Sequence, residues 1–383
     1  MNHRKKLLAA ALAAALLALS VPTAQAASGA PTVSCGAAVL MEKETGTILY
    51  EQNSHDKLEP ASVTKIMTLL LVMEAIDSGR ISLDQTVTIS ANAVSMGGSQ
   101  IWLKEGEQMT VHDLLKAVAV VSANDGAVAL AELVAGSEEG FVALMNQRAA
   151  ELGMADTTFV NCTGLPAAGH LTSAHDIALM SRELILNHPS IREYTTIWMD
   201  SLRDGAFQLT NTNKLIRFYD GATGLKTGST DSALYCLSAT AERGGMELIA
   251  VVLKSPTSQE RFDTARSLLD YGFANYTLMD VYPDQALPPI DVLLGEEDCV
   301  QPVLSASSRI LVDKSQVNSV TSQINLCENV EAPVEAGQKL GEMVVMADGQ
   351  VLQTIPIVAE RAVARLTVPG IFLRFLDRLF MAG

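Results

Sequence analysis

Beyond Arg4-Lys5-Lys6 at its start, the sequence has no lysine–arginine cluster; it also has no C-x-x-C pair and no uninterrupted apolar run of the roughly 20 residues that span a bilayer. Lys and Arg number 27 against 43 Asp and Glu, a formal charge of −16, which excludes a nucleic-acid partner because phosphate binding needs clustered cations. Five cysteines, Cys35, Cys162, Cys236, Cys299 and Cys327, suggest no zinc site. A bridge between Cys299 and Cys327 is conceivable in an oxidising compartment, and isolated buried thiols fit the count equally well. H-E-x-x-H and G-x-S-x-G are also missing, so His170, His175 and Asp176 read as the approach to a helix in "SAHDIALM", not as a metal site or a triad.

What is present supports a folded, exported protein. With 383 residues, 48% hydrophobic and 18% charged, the chain can bury one large core or two ordinary ones. Residues 1–26 have the anatomy of a secretory signal: His3, Arg4, Lys5 and Lys6, an apolar stretch from Leu7 to Leu19, and small residues closing at Ala24-Gln25-Ala26. Residues 27–282 mix strand and helix patterns. "AAVLMEKETGTILYEQ" reads as a hairpin turning at Glu44-Thr45-Gly46, and "YCLSATAERGGMELIAVVLK" as another turning at Gly244-Gly245. Between them fall helical patterns at Val63–Asp77, Val111–Val121, Gly126–Val134, Gly140–Leu152 and Ala174–Leu186, and Ser258–Tyr271 follows. Strands from both ends around a helical middle predict an α+β fold with an antiparallel sheet. After the linker "YPDQALPPI", residues 283–365 read as a small all-β domain with a hairpin at Asp348-Gly349. Residues 366–383 close the chain. There Arg374, Asp377 and Arg378 share one helical face and Ile371, Phe372, Leu373, Phe375, Leu376, Leu379 and Phe380 cover the rest. Such a helix over 370–381 suits a membrane surface, the outer face of the cytoplasmic membrane.

Chemistry is concentrated at the head of the apolar run "ASVTKIMTLLLVMEAI". Ser62 and Lys65 lie three residues apart, so on a helix they share a face. A serine needs a neighbouring base to attack, and a buried lysine with a lowered pKa can be that base. A helix N-terminus adds N–H groups and positive potential for a developing oxyanion. S-x-x-K alone is weak, since Ser54–Lys57 repeats it in a polar stretch. Two further motifs strengthen it. Lys226-Thr227-Gly228 occurs once, before the strand "YCLSATA", and Ser122-Ala123-Asn124 lies on a link between two apolar helices. Ser-Ala-Asn also occurs at Ser90–Asn92, in surface-like surroundings.

In this order, the motifs resemble those of the low-molecular-weight penicillin-binding proteins, the D-alanyl-D-alanine carboxypeptidases. "NCTGL", "GHLTSAHDIALMSREL", "NTNKL" and "RFDTARSLLDYGF" strengthen the likeness, which extends over nearly the whole chain. The resemblance implies a serine β-lactamase/DD-peptidase-like domain, an antiparallel sheet with a helical cluster, acting on peptidoglycan stem peptides and acylated by β-lactams. It makes Ser62 the nucleophile and Lys65 its base. Ser122 and Asn124 complete the proton relay and hold the substrate amide. Lys226, Thr227 and Gly228 line the substrate, and Arg261 faces its terminal carboxylate. No metal or organic cofactor is implied. The pattern departs at Ser229, a position that varies among relatives, and at Leu234, where relatives usually have glycine. A class A β-lactamase is the rival enzyme, with Glu183 and Asn187 of "ELILN" nominally matching its deacylation element. A β-lactam sensor that acylates without turnover is the rival of another class. Whether the wall being trimmed is vegetative or that of a spore stays open.

Overall fold

A computed structural model describes residues 29–283 and 285–372. The export segment expected over 1–26 and most of the helix expected over 370–381 lie outside the described residues. None of the described helices is long and apolar enough to cross a membrane.

Strands β1 (Ala37–Glu42) and β2 (Ile48–Gln52) form the first hairpin. Its turn is fixed by Glu42, a buried carboxylate that accepts the Glu44 and Thr45 amides at 2.8 and 2.7 Å. Four main helices follow: α1 (Lys65–Asp77), α2 (Val111–Val121), α3 (Asn124–Ala135) and α4 (Glu138–Glu151). After them come α5 (Ala174–Asn187), the short α6 (Leu215–Phe218), strands β3 (Ala222–Thr230), β4 (Leu234–Arg243) and β5 (Met246–Ser255), and the long α7 (Ser258–Asn275). The sheet order is β2-β1-β5-β4-β3, antiparallel throughout.

Alternation along the strands sorts this unit into two cores. Val39, Met41, Ile249 and Val251 face the helical cluster, packing with Ile66, Leu69, Leu114 and Ile177. Leu40, Leu248, Ala250 and Val252 face the other way, against Phe262, Leu268 and Leu269 of α7. With helices on both faces, β5 is buried along almost its whole length, which is why it reads as a continuous apolar run. At Gly272 the helix comes so near the sheet that a Cβ would sit 2.4 Å from Leu248 Cδ1.

Local corrections have physical causes. The pattern beginning at Val63 is a 3₁₀ turn over Ala61–Thr64 that runs into α1. α3 starts at Asn124, two residues before the expected Gly126, and α7 continues to Asn275, beyond Tyr271. The K-T-G triplet lies on the sheet's edge strand β3, directly before the strand that carries "YCLSATA", β4.

The chain passes from α7 straight into a strand of the β unit, beginning at Tyr276. Tyr276–Asp280 pairs with Arg309–Asp313. A three-stranded sheet joins Cys299–Val300, Ile290–Leu293 and Asn329–Glu331. A four-stranded sheet orders Pro302–Leu304, Gln350–Ala359, Lys339–Ala347 and Thr321–Leu326. Cys299 and Cys327 are free and exposed.

Candidate active site

The 3₁₀ turn sets the first pair of groups. Three residues per turn bring side chains i and i+3 directly over one another, a closer register than an α-helix gives. Lys65 Nζ therefore reaches Ser62 Oγ at 3.0 Å. The ammonium site is fully buried and has two more partners, Asn124 Oδ1 at 2.5 Å and the Thr163 carbonyl at 2.6 Å. Burial pushes the Lys65 pKa down to about 7, with Cys162 and Asp125 opposing the shift. Ser62 caps no helix through its side chain, so its hydroxyl is left to Lys65.

Packing behind the turn holds this geometry. Ala61 sits at φ +48, and its carbonyl lies where a Cβ on Gly164 would come within 1.9 Å. Only glycine fits there, which brings the Cys162–Thr163 backbone alongside α1, where Thr68 Oγ1 donates to Cys162 O at 2.7 Å. His170 is buried in the same wall. Its Nδ1 accepts the Val160 amide at 3.0 Å, so Nε2 carries the proton donated to Thr64 Oγ1 at 2.8 Å. Burial holds its pKa down near 4. His170 thus supports the turn from behind, a role the sequence did not signal.

Ser122 and Asn124 come from the link between α2 and α3. Ser122 adopts φ +65, in the left-handed region, and its buried Oγ has no hydrogen-bond partner among the described residues. A strained residue with an orphaned hydroxyl is the kind of feature that functional sites retain. The Asn124 amide is oriented by Nδ2 donating to Gly97 O at 2.6 Å, which aims Oδ1 at Lys65. Asp125 went unremarked in the sequence. Its buried carboxylate accepts the Ile101 and Leu103 amides, tying the loop that covers Asn124.

Strand β3 forms the opposite wall. Lys226 is buried, donates to Thr227 O at 2.9 Å, and is held well below the usual lysine range by burial and then by the Lys65 and Arg261 charges. The Thr227 hydroxyl lies 2.7 Å from that of Thr212. A Cβ on Gly228 would meet the Ser62 and Val63 nitrogens at 2.8 and 2.9 Å, so the glycine lets β3 lie against the serine turn. Arg261 is no surface residue. It is buried on α7, with Nη1 donating to Gly228 O and Cys236 O at 3.2 Å, and burial lowers its pKa to about 10. Leu234 opens β4 at φ +54, the conformation that a glycine would adopt without strain.

The alternative sites stay apart. Ser90 caps the short helix Ala91–Val94, and Ser54 Oγ donates to Glu51. Asp176 accepts the Asp156 amide and the Thr157 hydroxyl, while Ser173 caps α5. Glu183 is paired with Arg148 at 2.6 Å and with Asn187, within α5 rather than on a loop by the serine.

Comparison with known proteins agrees with this arrangement. The profile of the family described as D-alanyl-D-alanine carboxypeptidase matches residues 23–257, and that of the penicillin-binding protein 5 C-terminal domain matches residues 277–365. The D-alanyl-D-alanine carboxypeptidase DacF of Bacillus subtilis is 42% identical over 98% of this chain and 97% of its own. Penicillin-binding protein 5 of Haemophilus influenzae superposes with a TM-score of 0.81 at 29% identity, over 88% of this chain and all of that one. Penicillin-binding protein D2 of Listeria monocytogenes, solved in its ampicillin-bound form, matches 64% of this chain and all of its own with a TM-score of 0.59 and 35% identity. The chain belongs to the D-alanyl-D-alanine carboxypeptidase family of serine peptidases, with the C-terminal domain of penicillin-binding protein 5.

Proposed function

We propose that Ser62 is the acylated nucleophile of a D-Ala-D-Ala carboxypeptidase and Lys65 its general base. The carrying observation is the Lys65 amine, fully buried with a pKa near 7, at 3.0 Å from Ser62 Oγ. Its other two partners, Asn124 Oδ1 and Thr163 O, are oxygens that can only accept. A neutral amine keeps two N–H donors for them, and its lone pair is left facing the Ser62 hydroxyl. The amine then takes the hydroxyl proton as Oγ attacks the carbonyl between the two D-alanines. Ser122, with a free hydroxyl, relays the proton to the departing D-alanine nitrogen. Water then hydrolyses the ester and regenerates Ser62.

Binding follows from the same walls. β3 is an edge strand, so its open side can pair with an extended stem peptide, as strand addition does elsewhere. Asn124 holds the substrate amide, and Lys226 and Thr227 line the tail. The Ser62 N–H, packed against Gly228, contributes to the oxyanion hole. Arg261 supplies positive potential for the terminal carboxylate and holds the Gly228 carbonyl. β-Lactams acylate the same serine in this reading. The protein works outside the cytoplasmic membrane, with residues 1–26 as export signal and 370–381 lying on the membrane's outer face. A β-lactamase reading is disfavoured because Glu183 is committed to Arg148.

Two assays on the exported form test this, with Ser62→Ala alongside. One follows D-alanine release from diacetyl-Lys-D-Ala-D-Ala, the other weighs the intact protein after penicillin. Release and a penicillin adduct, both lost in the variant, are the expected result. An adduct without release would replace the enzyme by a sensor, and an adduct surviving in Ser62→Ala would remove Ser62 from the mechanism.

A further inference from the structure

The wall that carries Thr227 continues into an aromatic and cationic patch. Thr212 ties the two sides of the site together: its amide donates to Val120 O at 3.1 Å, two residues before Ser122, and its hydroxyl meets Thr227. The neighbouring Asn213 donates to Gly224 O on β3 at 2.8 Å, and Asn211 donates to Ile197 O at 2.8 Å. These bonds anchor α6 on one side and Trp198–Met199 on the other. The Trp198 and Phe218 rings meet edge to face, with centroids 5.9 Å apart, and the Arg217 guanidinium lies 5.7 Å from each ring. Phe218 is 63% exposed and Met199 60%. Lys43, Lys116, Arg148, Arg192 and Arg203 are all ion-paired, whereas the exposed Lys214 and Arg217 have no carboxylate partner among the described residues.

On a chain with a formal charge of −16, Lys214 and Arg217 thus stand without a carboxylate partner among the described residues, beside the exposed Phe218 ring and the half-buried Trp198 ring. We propose that Trp198, Met199, Lys214, Arg217 and Phe218 form a docking surface for the carboxylate-bearing peptidoglycan strand flanking the stem peptide being cut. The proposal rests on the reading of the cleft as a stem-peptide site. Stacking uses the faces of the guanidinium and leaves its N–H edges free for carboxylates. The exposed Phe218 ring, backed by Trp198, offers flat apolar area to the C–H faces of the sugars. A strand held here would pass within a few residues of Thr227, because Lys214 follows Thr212 by two positions. Short peptides would not reach the patch, so it would act on polymer alone.

The test compares the full chain with Lys214→Glu/Arg217→Glu and, separately, Phe218→Ala. On diacetyl-Lys-D-Ala-D-Ala both variants are expected to keep kcat/KM within about twofold of the parent, because surface changes away from the reacting groups are nearly neutral. On purified walls stripped of phosphate polymers, D-alanine release by the charge-reversed variant should fall about tenfold at low salt, and the gap should close as salt screens the contact. Phe218→Ala should lose part of that activity while keeping the salt dependence. In a Ser62→Ala background, the charge reversal should also reduce co-sedimentation with the stripped walls. That arm reads the patch even if no peptide is hydrolysed, which would refute the catalytic reading instead. Equal losses on short peptide and wall, or unchanged wall binding by the charge-reversed protein, would overturn the proposal. So would binding that requires the phosphate polymers, since that would make them the partner.

Discussion

In the proposed mechanism the chemistry turns on Lys65, whose environment makes a definite pH prediction. Burial favours the neutral amine, so the base form accumulates as pH rises through about 7. The kcat/KM for a D-Ala-D-Ala peptide should therefore climb through that pH, and penicillin acylation should climb with it. Lys65→Met keeps an unbranched, near-isosteric side chain and removes the base, and should lower both rates by about 10²–10⁴-fold. A pH-independent rate from 6 to 9 would show that the amine is not the titrating base. Leu234 gives a second prediction at this scale. At φ +54 a side chain is strained, and a β-branched one more so. Leu234→Gly should leave stability unchanged or raise it by up to about 1 kcal/mol, while Leu234→Val should lower it by about 1 kcal/mol. Denaturant titration reads the order, and a Gly variant markedly weaker than the parent would show that the Leu234 side chain supplies contacts exceeding the strain.

Among the elements, the turn carrying Ser62 depends on partners distant in sequence. His170 contributes through its neutral form. Its folded pKa lies near 4 against an ordinary value of 6.5, so the unfolded chain binds the proton more readily. Its contribution is complete above pH 6.5 and is lost as pH falls toward 4. His170→Gln can keep a donor toward Thr64 without titrating in this range. The parent should thus lose more Tm than the variant between pH 7 and 4.5, and identical acid slopes would contradict the assignment. This also explains what the sequence could and could not disclose. The hairpins and helices were legible because apolar periodicity and glycine turns are local, and α2 falls on Val111–Val121 as its pattern predicts. Ser62, Lys65 and the K-T-G triplet could be singled out as a candidate site because short motifs carry chemistry, and the structure brings them to one cleft. Asp125, His170 and Thr212 were not, because their roles come from hydrogen bonds to segments that folding alone brings near. The 3₁₀ start of α1 was likewise hidden, since the close approach of Gly164 to Ala61 dictates it.

At the scale of the whole molecule, every residue assigned to catalysis or substrate lies between Ser62 and Arg261, and the structure around them closes with α7. The family profile stops at residue 257, but α7 supplies Arg261 together with Phe262, Leu268 and Leu269 of the second core. The β unit joins this body through Tyr276, Leu278 and Leu311, which pack against the second core, and through Lys314, which donates from its backbone to Asn275 O at 2.7 Å and from Nζ to Phe273 O at 2.6 Å. The Listeria structure is matched over its whole chain by 64% of this one. Two truncations should therefore part company. A chain ending at Asn275 should fold and hydrolyse diacetyl-Lys-D-Ala-D-Ala within about threefold of the full protein, because the residues assigned to catalysis and substrate all remain. Its Tm should drop by about 2–6 °C for the lost junction. A chain ending at residue 257 removes one face of the sheet's packing, exposing Leu40, Leu248 and Val252, and should not fold. Activity in the shorter chain would show that α7 is dispensable to the catalytic body. Inactivity in the longer one would mean that the β unit shapes the site as well as extending the molecule.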